Sequence, residues 1–415
     1  MAKKLKTPAA EASTVSEQPY YLQRAHIKDY RSIRDAKVEF KPGLNIIIGA
    51  NGSGKTNFVR AVSSAVDTRP GNSKNLGIEE NFKLSGRRDL EIYFERKKVE
   101  PQIGMSFSEL FQQHVKVYSD GITGEGKDLS EALANNQAIN GLEGSGCKAI
   151  MLLHGVPDKY NFVDIPVGFK VGEYFESDDF FSRFPNAIMN TFLIALSIQR
   201  FNLKLRKVSS RRIADLLLKS VNVHIQELES ILNKFTPIQS IRVSDTRFYD
   251  DDRRNEVIVK GFNLEFKANN TWLPFTDLSN GTQRMFFVIS EFIASDKYLG
   301  GADNGMNPVI QEIDKIFLLE EPELGIHPDQ LHKLLLFLRE QSEKRQIIIT
   351  THSPQVLDML NENELDRITI CELDEKKGTQ FRNLKKAQIA TAKKYMKEVG
   401  FLSDYWRYGS LEELN

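Results

Sequence analysis

The segment that most constrains this chain is Gly49-Ala50-Asn51-Gly52-Ser53-Gly54-Lys55-Thr56, a complete G-x-x-x-x-G-K-[ST] string. It is entered from Leu44-Asn45-Ile46-Ile47-Ile48, an almost wholly apolar run of the kind that suits a strand buried on both faces. It leaves into a helix with apolar spacing at Phe58, Val59 and Val62. A strand, a glycine turn and a helix in that order call for an α/β sheet with helices packed on it. The glycines let backbone N–H groups curl around phosphate oxygens, and the helix N-terminus adds partial positive charge. Lys55 would reach the β- and γ-phosphates, and the Thr56 hydroxyl would ligate Mg²⁺, so ATP with Mg²⁺ is the expected ligand pair. Two similar strings fail on context. Gly121–Lys127 is followed by Asp128, whose carboxylate repels phosphate, and Gly141–Lys148 has Cys147 where the lysine belongs. Both are expected to be surface turns.

Composition narrows the partners. Lys plus Arg and Asp plus Glu each total 56, so there is no global basic field and any nucleic-acid contact must be local. One local candidate runs from Arg200 to Lys219, with Lys204, Arg206, Lys207, Arg211 and Arg212 against the single acid Asp215. Cys147 and Cys371 are the only cysteines, which excludes a disulfide framework or a Cys-based zinc site and fits a reducing cytoplasm. No apolar run reaches the ~18 residues that cross a bilayer, so no membrane partner is expected. Residues 1–20 have basic residues without a following apolar segment and are expected to be a disordered tail rather than a secretory signal.

The rest of the chain divides by pattern. Residues 21–100 alternate as short strands around the phosphate loop and form an N-terminal lobe. Residues 101–270 are an insertion: 101–185 carry no clear period, 186–235 have helical spacing suited to two or three packed helices, and 237–275 alternate as strands. Asp250-Asp251-Asp252 is followed by Arg253 and Arg254 and is expected at a hairpin tip rather than around a metal. Residues 271–360 alternate helix and strand as a C-terminal lobe. Residues 361–415 are expected to be a helical tail, rich in lysine and ending in Tyr405-Trp406-Arg407-Tyr408, able to dock a partner.

Three strings in the C-terminal lobe carry chemistry. Ile316-Phe317-Leu318-Leu319 runs into Glu320 and Glu321, adjacent carboxylates at a strand end that can take different roles. One can hold the metal and the other can polarise an attacking water. Ile347-Ile348-Ile349 runs into Thr350-Thr351-His352-Ser353-Pro354, placing a single histidine at another strand end. Leu278-Ser279-Asn280-Gly281-Thr282-Gln283 precedes an apolar helix, with Ser279 as a natural N-cap.

In this order, the phosphate loop, LSNGTQ, LLEEPE and TTHS resemble the ABC-class P-loop ATPases of the SMC and RecF type. The Glu320–Pro328 and Thr350–Pro354 strings are most similar to the OLD-type and related phage-defence ATPases, and His26–Ile33 to that family's first strand. The resemblance covers roughly residues 22–99 and 270–360. It implies a mainly parallel central sheet with an N-terminal antiparallel part and a helical insertion. It implies ATP contacts from Arg31 and from Asn51 through Thr56, Mg²⁺ held by Thr56 and Glu320, and catalysis by Glu321, His352 and Lys55. It further implies that Ser279, Asn280, Gly281 and Gln283 complete the site of a second subunit, so at least a homodimer is expected, with higher oligomers open. Asn280 departs from the Gly-Gly form of that motif, and the glutamine of the usual loop after the early strand has only Gln102 as a weak candidate. The implied activity is ATP hydrolysis in a switch governing a separate nuclease or toxin. An OLD-type nuclease domain has no counterpart in residues 353–415, which lack an Asp-x-Asp pair. The alternative is a RecF-like ATPase that grips DNA.

Overall fold

The computed structural model describes residues 19–66, 79–85, 90–98, 111–119, 121–127, 131–132, 135–136, 145–152, 210–244, 247–251, 256–260, 263–293, 297–303 and 307–407. The N-terminal part supplies β1 (Tyr21–Tyr30), β2 (Ile33–Glu39), β3 (Leu44–Ile48) and α1 (Lys55–Val66), then β4 (Glu79–Ser85), β5 (Leu90–Lys98), β6 (Phe111–Ser119), β7 (Ile122–Gly126) and β8 (Ser145–Leu152). The middle contributes α2 (Ser210–Phe235), β9 (Ile238–Ser244), β10 (Arg247–Asp251), β11 (Glu256–Lys260), β12 (Asn263–Ala268) and β13 (Thr271–Pro274). Next come α3 (Asn280–Ile293), β14 (Lys297–Asp303), β15 (Asn307–Glu320), α4 (Pro328–Ser342) and β16 (Ile347–Thr351). The final elements are β17 (Ile368–Asp374), β18 (Gly378–Asn383), α5 (Lys386–Glu398) and α6 (Leu402–Arg407).

One 13-stranded sheet organises these elements, in the order β14-β15-β16-β3-β17-β18-β2-β1-β4-β5-β6-β7, with β8 paired to β15. Its centre is parallel: β15 with β16, β16 with β3, and β3 with β17. From β17 outward through β1 to β7 every pairing is antiparallel. The expected α/β sheet with a parallel centre and an antiparallel N-terminal part is what the chain builds, although antiparallel pairings outnumber parallel ones across the whole described sheet. Side-chain alternation explains why the central strands are apolar throughout. Ile46 and Ile48 enter one core with Leu228 and Leu232 of α2, Phe286 of α3 and Leu334 of α4. Ile47 enters the other, with Phe58 and Val62 of α1. Ile347 and Ile349 against Ile348, and Phe317 and Leu319 against Ile316 and Leu318, repeat the pattern. In the first core Phe292 stacks on Phe317 with ring centroids 3.7 Å apart.

Four differences from the sequence reading matter. The tail is not helical until Lys386: β17 and β18 precede it and join the central sheet, because Ile368, Ile370 and Cys371 are apolar enough to pair beside β3. Ser145–Lys148, expected in a turn, opens β8, which runs parallel to β15. The helical stretch appears as one 26-residue helix from Ser210, while 186–209 lie outside the described residues. Residues 354–360, whose place after the apolar run at 347–349 calls for a helix in the alternating lobe, form a 3-10 turn at Pro354–Met359 instead. Asp250 and Asp251 end β10, Asp251 paired with Glu256 of β11, and residues 252–255 lie outside the described residues. No helix among the described residues is long and apolar enough to cross a membrane.

A buried amide ties the sheet's two halves. Gln346 Oε1 accepts from the Leu22 N–H at 2.7 Å, and its Nε2 donates to Leu22 O at 2.9 Å and Lys41 O at 3.0 Å. Each buried backbone group left without a partner costs about 1–3 kcal/mol. Gln346→Leu is therefore expected to destabilise the chain by about 2–4 kcal/mol in a urea titration with an unchanged m-value.

Candidate functional site

Because β3, β15 and β16 are parallel, their C-terminal ends share one edge, where ligands of open α/β sheets bind. The phosphate loop leaves β3 there, Glu320 ends β15 with Glu321 just beyond it, and Thr351 ends β16 with His352 just beyond it. Lys55 opens α1 and is 5% exposed; its Nζ donates to Gly49 O at 2.8 Å and Ala50 O at 2.9 Å and lies 3.8 Å from Glu321 Oε1. The Thr56 hydroxyl donates to Glu320 Oε1, so the two expected Mg²⁺ contacts already meet. Glu320 is 2% exposed. His352 Nδ1 lies 3.4 Å from Glu321 Oε1 and 3.5 Å from Glu323 Oε1. Glu321 takes a positive φ of 43°, a conformation a non-glycine residue holds only when its surroundings force it.

The loop's glycines are required by close approach. A Cβ on Gly49 would sit 2.0 Å from Cys371 O, and one on Gly54, at φ 106°, would sit 2.1 Å from Thr379 Oγ1. Gly52, at φ 79°, has open space around it and is exposed with Asn51. The Ser53 hydroxyl is buried in the loop without a hydrogen-bond partner among the described residues. These features suit an anion cradle: glycine turns, a helix N-terminus, a buried ammonium and a hydroxyl in reserve. Thr56 and Glu320 are few protein ligands for a cation, which suits Mg²⁺, an ion that takes its remaining oxygens from phosphates and water.

Arg31, at φ 54°, is exposed beside α1, its Nη1 3.4 Å from Asn57 Oδ1. Ser279 caps α3, accepting the Thr282 N–H at 3.3 Å, and Asn280 is exposed. Gly281 is pressed against α4 and the preceding loop: a Cβ there would meet Gln330 Oε1 at 2.6 Å and Gly325 O at 3.3 Å. Gln283 turns inward, donating to Phe275 O and Leu278 O at 3.0 Å, so its amide is spent on its own chain. Gln102 and Arg200 to Lys207 lie outside the described residues, and the helix that carries Arg211, Arg212 and Lys219 is described for its backbone only over that stretch.

Three residues at this edge carried no distinguishing signal. Thr379 of β18 donates to Ser53 O at 2.9 Å and shares a hydrogen bond with Ser32 Oγ at 2.7 Å, flooring the loop. Glu323 accepts from the Thr351 hydroxyl and from the His352 N–H at 3.3 Å. Arg284 of α3 is buried and donates to the carbonyls of Glu320, Glu321 and Leu324. Burial pushes its guanidinium below the usual value, while the carboxylates of Glu323, Glu321 and Glu320 hold it up.

The AAA domain family matches residues 24–236, just over half of the chain. A second AAA-domain family, described with an AbiEii toxin and a Type IV TA system, matches residues 180–358. The Septu protein PtuA of Bacillus thuringiensis is 29% identical over 111 residues, 27% of this chain and 28% of PtuA. That match spans little more than a quarter of PtuA's own length. The DNA replication and repair protein RecF of Shewanella loihica is 22% identical over 367 residues, 82% of this chain and 94% of RecF. An Smc head domain with an extended coiled coil from Pyrococcus furiosus is 14% identical, with a TM-score of 0.45 over 92% of this chain and 99% of that one.

Cys371 offers a local check on the loop's floor. It is 1% exposed, its Sγ is 3.6 Å from Ser53 O, and burial pushes its thiol up to about 11. The thiolate is the reactive form, and a raised pKa keeps the group neutral until the pH approaches that value. In a Cys147→Ser chain, Cys371 is expected to resist iodoacetamide at pH 8 and to react once the protein is unfolded; rapid labelling of the folded chain would contradict this packing.

Proposed function

The chain belongs to the AAA-domain family of P-loop ATPases and is of the SMC/RecF type, and from that premise we propose that it is an ATP-driven switch whose hydrolytic site is the cluster of Lys55, Thr56, Glu320, Glu321 and His352. The observation that carries the site is the convergence of Lys55 Nζ and His352 Nδ1 on one carboxylate oxygen, Glu321 Oε1. Glu321 serves as general base, taking the proton of the attacking water at that oxygen. His352 lies beside the same oxygen, placed to receive that proton or to hold the carboxylate in orientation. Lys55 exchanges the Gly49 and Ala50 carbonyls for phosphate oxygens, and Thr56 and Glu320 would hold Mg²⁺. When bound, the cation neutralises charge on the phosphates.

One chain carries one phosphate loop and one Ser279–Gly281 turn, and the turn's contacts run to Gly325 and Gln330 rather than to the loop. Two subunits related by a twofold axis would let each turn face the other's nucleotide. Similarity to PtuA, and the toxin–antitoxin description of the second matching family, support a role in phage defence in which nucleotide state governs a separate effector. Lys55→Ala is expected to lose ATP binding. Glu321→Gln is expected to bind ATP, dimerise in sedimentation velocity and lose hydrolysis by ~10²–10⁴-fold. Equal loss of binding in both variants, or a strict monomer in Glu321→Gln with ATP, would overturn the assignment.

RecF similarity over most of the chain favours a second reading, in which the ATPase grips DNA itself. Incubating the purified chain with duplex DNA, ATP and Mg²⁺ separates the two. Effector control predicts neither cleavage nor tight binding by this chain alone. The DNA-clamp reading predicts binding that falls steeply with salt and weakens in an Arg211→Ala, Arg212→Ala variant.

A further inference from the structure

Arg284 is a buried cation that the proposed hydrolysis leaves without a task. It is the fifth residue of α3 and 7% exposed. Its Nη2 donates to Glu320 O at 2.8 Å and Glu321 O at 2.7 Å, and its Nη1 to Leu324 O at 3.0 Å. All three acceptors belong to the turn in which β15 ends and the chain reverses toward α4. Glu320 is the last residue paired with β16, and Glu321 and Leu324 lie beyond the ladder; a planar fork with several donors can gather their carbonyls in one geometry where a single ammonium cannot.

The turn needs gathering. Glu321 sits at φ 43°, the left-handed region that disfavours side chains, and its backbone is pinned from one side where its N–H donates to Thr350 O at 2.7 Å. Arg284 pins it from the other, through the carbonyl of the same residue. A side chain's direction follows its φ and ψ, so these two contacts decide where Glu321 Oε1 falls. It falls 3.8 Å from Lys55 Nζ and 3.4 Å from His352 Nδ1. A relaxed backbone at Glu321 would swing the carboxylate away from both.

We propose that Arg284 is a positioning residue for hydrolysis: its guanidinium fixes the strained backbone of the Glu320–Leu324 turn and acts on the reaction only through the placement of Glu321. The inference rests on Glu321 as general base. It also assigns α3 a double duty, since the helix that begins with Asn280 and Gly281 holds its own chain's Glu321 a turn further on.

A double-mutant cycle tests it, with MgATP affinity measured by equilibrium binding and kcat by phosphate release. Arg284→Gln is expected to change the affinity by less than about threefold and to lower kcat by ~10–100-fold, the scale of a small misplacement of a catalytic group. In a Glu321→Gln chain the same substitution is expected to slow turnover no further, because both changes remove one function. Arg284→Lys keeps the charge and much of the packing while losing the fork. It is expected to melt near the parent's temperature yet remain impaired in kcat. Wild-type kcat in Arg284→Lys means that the residue only neutralises buried carboxylates, and overturns the proposal. Multiplying effects in the double variant overturn it as well. If Glu321→Gln hydrolyses ATP normally, the general-base reading fails instead, a result distinguishable because it appears in the single Glu321 variant.

Discussion

Burying charge at the ends of parallel strands is the constraint around which this molecule is arranged. Glu320 ends β15, Glu321 and Glu323 follow within one turn, and two cations, Lys55 and Arg284, are buried among them. An isolated buried ion is far costlier than one that is paired and hydrogen-bonded. The chain meets this by bringing each cation in on a different helix, α1 from one face of the sheet and α3 from the other. Carbonyls complete both shells: Gly49 and Ala50 for the ammonium, Glu320, Glu321 and Leu324 for the guanidinium. The two apolar cores, one on each face, hold those helices at the depth the charges require. Sheet, helices and site are thus one electrostatic solution rather than a scaffold with a site added.

The two cations differ in how freely they can move. Lys55 has an unbranched stem and two carbonyl partners in the loop where a nucleotide phosphate would lie, so its contacts are exchangeable. Arg284 has none of that freedom, since its acceptors are the backbone of the turn itself. Glu323 behaves like Arg284, locking the Thr351 hydroxyl and the His352 N–H while its neighbour Glu321 faces Lys55. The contacts of Arg284 and Glu323 therefore hold the turn after β15 and the end of β16, while those of Lys55 lie in the loop where a phosphate would replace them. That division separates what can respond to a ligand from what holds it in register.

Much of this was legible in the sequence where the signal is local. Apolar runs at 44–48, 316–319 and 347–349 announce strands covered on both faces, and each ends in polar residues that the parallel pairing then gathers. Ser279 before an apolar helix announces a cap, and the structure caps with it. What stayed hidden is whatever depends on partners hundreds of positions away. Thr379 looks like any strand threonine until it lies under Gly54, and Gln346 like any surface glutamine until Leu22 arrives. β17 and β18 were hidden by their own composition, being short, half polar and followed by a lysine-rich helix. Gln283 was half legible: a motif fixes residue type and spacing, but not that its amide nitrogen donates to carbonyls in and beside the 3-10 turn at Phe275–Asp277.

The floor of the phosphate loop has a consequence for how the molecule comes into being. Ser53 is bonded by Thr379, a separation of 326 positions, and by Cys371, a separation of 318. At roughly 5–20 residues per second, a ribosome delivers the loop tens of seconds before it delivers the strands beneath it. During that interval the nascent chain has the whole nucleotide motif but not the Cys371 and Thr379 contacts that floor it. The long-range pairing of β3 with β16 and β17 is also the slow kind of contact, closed only after much of the chain is available. The loop therefore gains its floor only after synthesis has passed β18.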